Sequence, residues 1–186
     1  MRTDKVYVIG FMGAGKSSVA RALGTRLGWR VQDIDELIES REHQSIATVF
    51  ARNGEAYFRR IEHEVLCELV HERQLVVATG GGTFVGTDNR NIINKDGVSI
   101  WLDVSFDRVI DRLRSDTKRP LAADHTRMQT LFETRRTAYA LADFRVDASL
   151  TSIDEQTEQI LEWIRIETIR TSVSYTHLTL PPSDLV

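Results

Sequence analysis

The stretch "KVYVIGFMGAGKSSVARALGTRLG", residues 5–28, decides the fold. Residues 5–10 form a β-branched apolar run ending on glycine, the pattern of a buried strand. Residues 16–28 place Val19, Ala20, Leu23 and Leu27 at helical spacing and stop at Gly28. Between them "GFMGAGKS" (10–17) satisfies G-x-x-x-x-G-K-[ST]. Each part of that motif has a chemical reason. Glycines let backbone N–H groups curl around phosphate oxygens, and the following helix turns its positive end toward the same anion. Lysine reaches the β- and γ-phosphates, and the hydroxyl ligates Mg²⁺. Gly13, Ala14, Gly15, Lys16, Ser17 and Ser18 are therefore the expected triphosphate contacts, with Ser17 as a metal ligand.

The rest of the chain alternates in the same way. Strands are expected in "WRVQDID" (29–35), "QLVVATGGG" (74–82), "VSIWLDV" (98–104) and "FRVDAS" (144–149). Helices are expected at 35–42, 45–54, 55–73, 87–97, 105–115, 126–143 and 152–170. Alternation predicts a three-layer α/β domain: a mainly parallel five-stranded sheet, flanked by helices, with right-handed crossovers. Ligands then gather at the carboxyl ends of the strands, where Gly10, Asp33, Gly80 and Asp103 lie. Residues 1–170 read as one domain. "TSVSYTHLTLPPSDLV" (171–186) has two prolines and no helical period, and resembles read-through tails on unrelated chains. It reads as a disordered or non-native tail.

Charge and cysteine content narrow the function. The 24 basic and 27 acidic residues leave a net charge of -3, which argues against a general nucleic-acid or membrane-surface binder. The single cysteine, Cys67, excludes an intramolecular disulfide and suits a reducing cytoplasm. It reads as an inert thiol. No apolar run approaches the roughly 20 residues of a membrane span, and the N-terminal apolar run is too short for a signal peptide. A soluble, cytoplasmic monomer is the expectation. The five histidines show no metal-ligand spacing.

The phosphate loop alone does not choose a function. A guanine switch needs N-K-x-D, and "NKDG" (94–97) has its aspartate one place early. A motor usually ends an apolar strand on a metal-binding aspartate, a role open to Asp103. A second set of residues points to an acceptor molecule. Asp33 and Asp35 are two apart, so at a strand end they point the same way. Two such carboxylates suit Mg²⁺ binding and positioning of an attacking hydroxyl. They equally suit an acidic first turn facing a helix dipole, and spacing does not separate the two. In "FRRIEHEVL" (58–66), Glu62 projects into the stripe of Ile61, Val65 and Leu69, with Arg59 at its edge. Buried charges are paired. The pair is either structural, or it holds Arg59 to fork onto a substrate carboxylate. "TGGGT" (79–83) leaves bare backbone at a strand end, where a ligand can lie against the chain. "DTKRPLAADHT" (116–126) reads as a mobile lid bringing Arg119 onto a transferring phosphoryl group. Arg135 and Arg136 belong either to a solvated helix face or, one of them, to the site.

Together these pieces resemble the shikimate kinases over about residues 5–165. The resemblance rests on "GFMGAGKSSVA", "DIDELIE", "NGEAYFRRIE", "ATGGGT", "WLDVSFDRVIDRL", "KRPLA" and "RRTAYALADFRVD", in family order and spacing. It implies a P-loop kinase fold and ATP-dependent phosphorylation of the shikimate 3-hydroxyl, on the route to chorismate and the aromatic amino acids. It also implies roles. Asp35 orients or deprotonates the acceptor hydroxyl, and Arg59 and Arg135 clamp the carboxylate. Gly80, Gly81 and Gly82 line the pocket, and Glu62 supports it. Asp33 acts on Mg²⁺ with Ser17, in preference to Asp103. Lys16 and Arg119 stabilise phosphoryl charge, and Arg112 or Arg114 stacks on adenine. The chain departs from the family pattern at Ala122, where a leucine is usual, and at Thr137, where a proline is usual. Arg135 is preferred over Arg136 because it stands four residues before Tyr139. Rival readings are a kinase for gluconate or a nucleoside monophosphate, and a nucleotide-binding regulator without turnover. Two arginines facing Asp35 favour a carboxylated polyol, and a pure binder has little use for Asp35.

Overall fold

The computed structural model describes residues 2–115, 125–149 and 151–177. Five strands form one sheet: β1 (Lys5–Ile9), β2 (Arg30–Asp33), β3 (Leu75–Ala78), β4 (Val98–Asp103) and β5 (Phe144–Asp147). Their spatial order is β2-β3-β1-β4-β5, and every pairing is parallel. The helices are α1 (Lys16–Leu27), α2 (Ile34–Glu42), α3 (Ile46–Leu69), α4 (Thr87–Asp96), α5 (Phe106–Ser115), α6 (His125–Tyr139) and α7 (Ile153–His177).

The three inner strands are buried at every position, which is why they read as unbroken apolar runs rather than alternating ones. Registry pairs Val6 with both Val76 and Val98 at the centre of the core. The edge strands β2 and β5 retain polar, partly exposed residues.

Strand order fixes where a ligand can enter. From β1 the chain crosses outward to β2, and from neighbouring β3 it crosses the other way to β4. The two connections diverge between β1 and β3, opening a crevice at their carboxyl ends. The phosphate loop leaves β1 there, and the triple glycine leaves β3.

Element bounds differ from the sequence reading, most clearly at two helices. The two helices expected at 45–54 and 55–73 run together as α3, broken by the non-helical Gly54 at φ 80°, ψ 173°. Helix α7 runs to His177, beyond residue 170, and 178–186 lie outside the described residues. The expected lid at 116–126 also lies outside them, except for His125 and Thr126, which open α6. Among the described residues no helix is long and apolar enough to cross a membrane.

Candidate active site

The phosphate loop is built on backbone geometry. Gly15 is the N-cap of α1 at φ 96°, a left-handed conformation that side chains disfavour, and it offers no side-chain acceptor to the first turn. The first-turn N–H groups are thereby left for an anion, with the helix dipole behind them. Lys16 donates to the Phe11 carbonyl at 2.9 Å, folding its ammonium back over the loop. Arg112 of α5 donates to the carbonyls of Gly13 and Ala14, at 3.0 Å each. It thus packs against the loop. The side chain of Arg114 lies outside the described residues.

Asp33 uses both of its carboxylate oxygens. Its Oδ1 accepts from the N–H groups of Asp35 and Glu36, at 2.9 and 3.4 Å, capping α2. Its Oδ2 accepts from the Ser17 hydroxyl at 2.5 Å. Two hard oxygens side by side next to the phosphate loop fit Mg²⁺, which takes few protein ligands and fills its octahedron with water and phosphate oxygens. No richer cluster of three potential His, Cys, Asp or Glu ligands exists among the described residues.

Asp35 lies in the first turn of α2, two residues after this cap, and is half-buried. Burial pushes its carboxyl up to about 6, Lys16 opposes the shift, and Asp33 and Glu62 add to it. A carboxylate of that basicity, beside a lysine, is suited to accepting a proton from an alcohol near neutral pH.

Arg59 and Glu62 are one turn apart on α3, after the Gly54 break, and are paired at 2.8 Å. Glu62 is fully buried, as the apolar stripe predicted. Its other oxygen accepts from the buried Thr83 hydroxyl at 2.6 Å. Glu55 takes a second edge of the Arg59 guanidinium at 3.2 Å. Burial disfavours the charge of Arg59, and Glu62 and Glu55 more than offset it. A Cβ on Gly82 would stand 2.4 Å from the guanidinium, so only glycine lets Arg59 lie flat on the turn.

Helix α6 separates its two adjacent arginines. Arg135 stands over the Phe11 ring and beside Gly81, facing the cavity. Arg136 turns the other way and pairs with Asp103 at 3.0 Å. Arg145 of β5 joins the same carboxylate at 2.6 Å. Asp103 is thus engaged by two guanidiniums, which tie α6 and β5 to the end of β4. One turn beyond Arg135, the buried Tyr139 donates its hydroxyl to the Gly81 carbonyl. Burial raises that phenol to about 12, so it remains a donor.

One cavity of about 460 Å³ joins both halves. It is lined by Gly13, Gly15, Lys16, Ser17 and Ser18 on one side. Asp33, Asp35, Arg59, Glu62, the triple glycine and Arg135 line the other. Ala14 instead borders an adjoining cavity of about 370 Å³ with Arg112 and the start of α7. Arg119 lies outside the described residues. Sequence reasoning missed the apolar wall of Ile46, Phe50 and Phe58. These residues look like core packing from their helical spacing, and only the fold shows that they face a void. It also missed Thr83 and Tyr139, whose hydroxyls carry no periodic signal.

A family model described as shikimate kinase matches residues 12–165. The shikimate kinase of Sulfurihydrogenibium sp. (strain YO3AOP1) is 40% identical over 161 residues, covering 86% of this chain and 97% of its own. Among solved structures, the shikimate kinase of Aquifex aeolicus vf5 superposes with a TM-score of 0.81 at 33% identity, over 88% of this chain and 98% of that one. The shikimate kinase of Acinetobacter baumannii in complex with shikimate gives 0.80 at 30% identity, over 88% and 94%. These structures share the five-stranded P-loop kinase fold. The match spans the donor loop and the arginine-bearing helices alike, and the chain therefore belongs to the shikimate kinase family.

Proposed function

We propose that this domain performs the family reaction through a two-sided cavity, with Asp35 as the base and Arg59 and Arg135 as the carboxylate clamp. The family activity is ATP-dependent phosphorylation of shikimate, giving shikimate 3-phosphate and ADP in aromatic amino acid biosynthesis. The observation that carries the assignment is the single cavity shared by Lys16, Asp35, Arg59 and Arg135.

Donor and acceptor then have separate footholds. The N–H groups of residues 13–18 and the Lys16 ammonium hold the triphosphate of ATP. Ser17 and Asp33, side by side at the loop, would hold Mg²⁺. When bound, the cation neutralises phosphate charge and aligns the oxygens for in-line transfer. Arg59 and Arg135 fork onto the shikimate carboxylate, and Gly80, Gly81 and Gly82 let the ring lie against backbone. Asp35 accepts the 3-hydroxyl proton as the oxygen attacks the terminal phosphorus, and ADP leaves from the opposite side. Arg119 is assigned to the transferring phosphoryl group on the strength of the "KRPLA" match. Little covalent work falls to the protein, and positioning and charge neutralisation supply the rate.

The lone thiol and the use of ATP support a cytoplasmic setting.

A coupled ADP-release assay with shikimate, quinate, gluconate and AMP as acceptors tests the reading. Shikimate is expected to give the fastest turnover. The reading fails if shikimate gives no rate above that of ATP alone, or if gluconate or AMP outpaces it.

A further inference from the structure

We infer that Thr83 is a positioning residue for acceptor binding: its hydroxyl fixes the Glu62 carboxylate so that it meets Arg59 through Oε2 alone, with Glu55 on the Nε and Nη2 side, and leaves the guanidinium facing the cavity. The inference rests on the proposed role of Arg59.

Three observations carry it. Thr83 and Glu62 are both fully buried, so neither finds water. Glu62 has one protein partner on each oxygen: the Thr83 hydroxyl on Oε1 at 2.6 Å and Arg59 Nη1 on Oε2 at 2.8 Å. Thr83 is itself fixed, because its backbone N–H closes the glycine turn onto the Gly80 carbonyl at 3.3 Å.

The carboxylate has few other places to go. A Cβ on Gly80 would stand 2.8 Å from Glu62 Oε1, 2.9 Å from Asp35 Oδ1 and 3.1 Å from the Thr83 hydroxyl. Three oxygens therefore crowd one backbone position, and the only hydroxyl among them is that of Thr83. Without it, Oε1 becomes a buried acceptor with no donor, beside a second carboxylate. The available relief is rotation toward Arg59, making the pair bidentate. That rotation engages a further guanidinium N–H and draws the fork away from the cavity. Lys16 and the phosphate loop make no hydrogen bond with Thr83, and Asp35 keeps its place in the first turn of α2, so the effect falls mainly on acceptor affinity and not on ATP.

Steady-state kinetics of Thr83→Val and Thr83→Ser test this, with circular dichroism to check folding. Valine keeps the shape and removes the hydroxyl, whereas serine keeps the hydroxyl. Thr83→Val is expected to raise the shikimate KM about 5- to 30-fold. The ATP KM and kcat are expected to stay within about twofold, and Thr83→Ser to behave like the parent. If Thr83→Val does not fold, Thr83→Ala takes its place under the same criteria. A shikimate KM within twofold of the parent, a matching rise in ATP KM, or a serine variant as impaired as the valine one would each overturn the inference. Arg59→Ala separates the two levels. If it too leaves the shikimate KM unchanged, the clamp assignment itself is wrong. If it raises KM while Thr83→Val does not, only the role of Thr83 falls.

Discussion

Asp35 carries a cost in the resting protein that its chemistry explains. Its carboxyl titrates near 6 in the folded chain, above the ordinary value of 3.8, mainly because it is buried. Between those values the folded state holds a proton that the unfolded chain releases, so stability falls as pH rises from about 4 to 6. Above pH 6 the full cost is present. Asp35→Asn should therefore stabilise the ligand-free protein at pH 7.5 by about 1–2 kcal/mol, a gap that closes by about pH 4. The same variant should lose about 10²-fold or more in kcat while still binding ATP. Urea unfolding at the two pH values and single-turnover kinetics measure both. Equal stability at pH 7.5, or retained turnover, would remove Asp35 from this role. The parent's kcat/KM for shikimate should fall as pH drops through about 6, since the base becomes protonated. The Arg59–Glu62 pair was legible because charge in an apolar stripe is conspicuous, whereas spacing left Asp35 open and only the family resemblance singled it out. Thr83 was not legible, because a hydroxyl is equally at home on a surface.

At the scale of elements, the least obvious device is the way α6 is attached. Arg135 enters the cavity only if the helix keeps its rotation about its own axis. Three contacts set that rotation: Arg136 to Asp103, Tyr139 to the Gly81 carbonyl, and Phe132 edge-on to Phe11 at 5.2 Å. Two of these join α6 to the phosphate loop or the glycine turn, so the clamp and the pocket floor move together. Tyr139→Phe keeps the ring and deletes the bond to Gly81. It should raise the shikimate KM about 2- to 10-fold and leave the ATP KM alone, as fits a neutral hydrogen bond. An unchanged shikimate KM would show that the other two contacts suffice. Helix existence was readable from period and stop signals, and Gly54 from its place between two periodic runs. The rotation of α6 was legible only through the family resemblance, which preferred Arg135 by its distance from Tyr139; the residues of "RRTAY" alone left the two arginines open, and their contacts with Phe11 and Asp103 tell them apart.

Across the whole molecule, the site and the main buried ionic network occupy opposite ends of the same strands. At the amino ends of β1 and β3, fully buried Lys5 pairs with Asp96 at 2.6 Å and donates to the Leu69 carbonyl at 2.6 Å. Tyr7 donates to the same Asp96 at 2.5 Å, and Arg73 reaches its other oxygen at 3.1 Å. One carboxylate at the end of α4 thus closes three strand-side donors at the base of the sheet. Local patterns could not disclose this arrangement. Lys5 reads as the charged start of a strand, and its partner is 91 residues away in sequence, brought near only by the order β3-β1-β4. The separation also predicts a clean division of labour. Removing one partner of a buried pair strands the other charge, so Asp96→Ala should destabilise the domain by about 3–5 kcal/mol. Because the network lies a full strand length from the carboxyl-end cavity, the KM values for ATP and shikimate should stay within about twofold. Urea denaturation alongside steady-state kinetics at a temperature where the variant remains folded decides it. A large KM change in the folded variant would mean that the sheet couples its two ends, and that the catalytic cavity depends on packing at its far side.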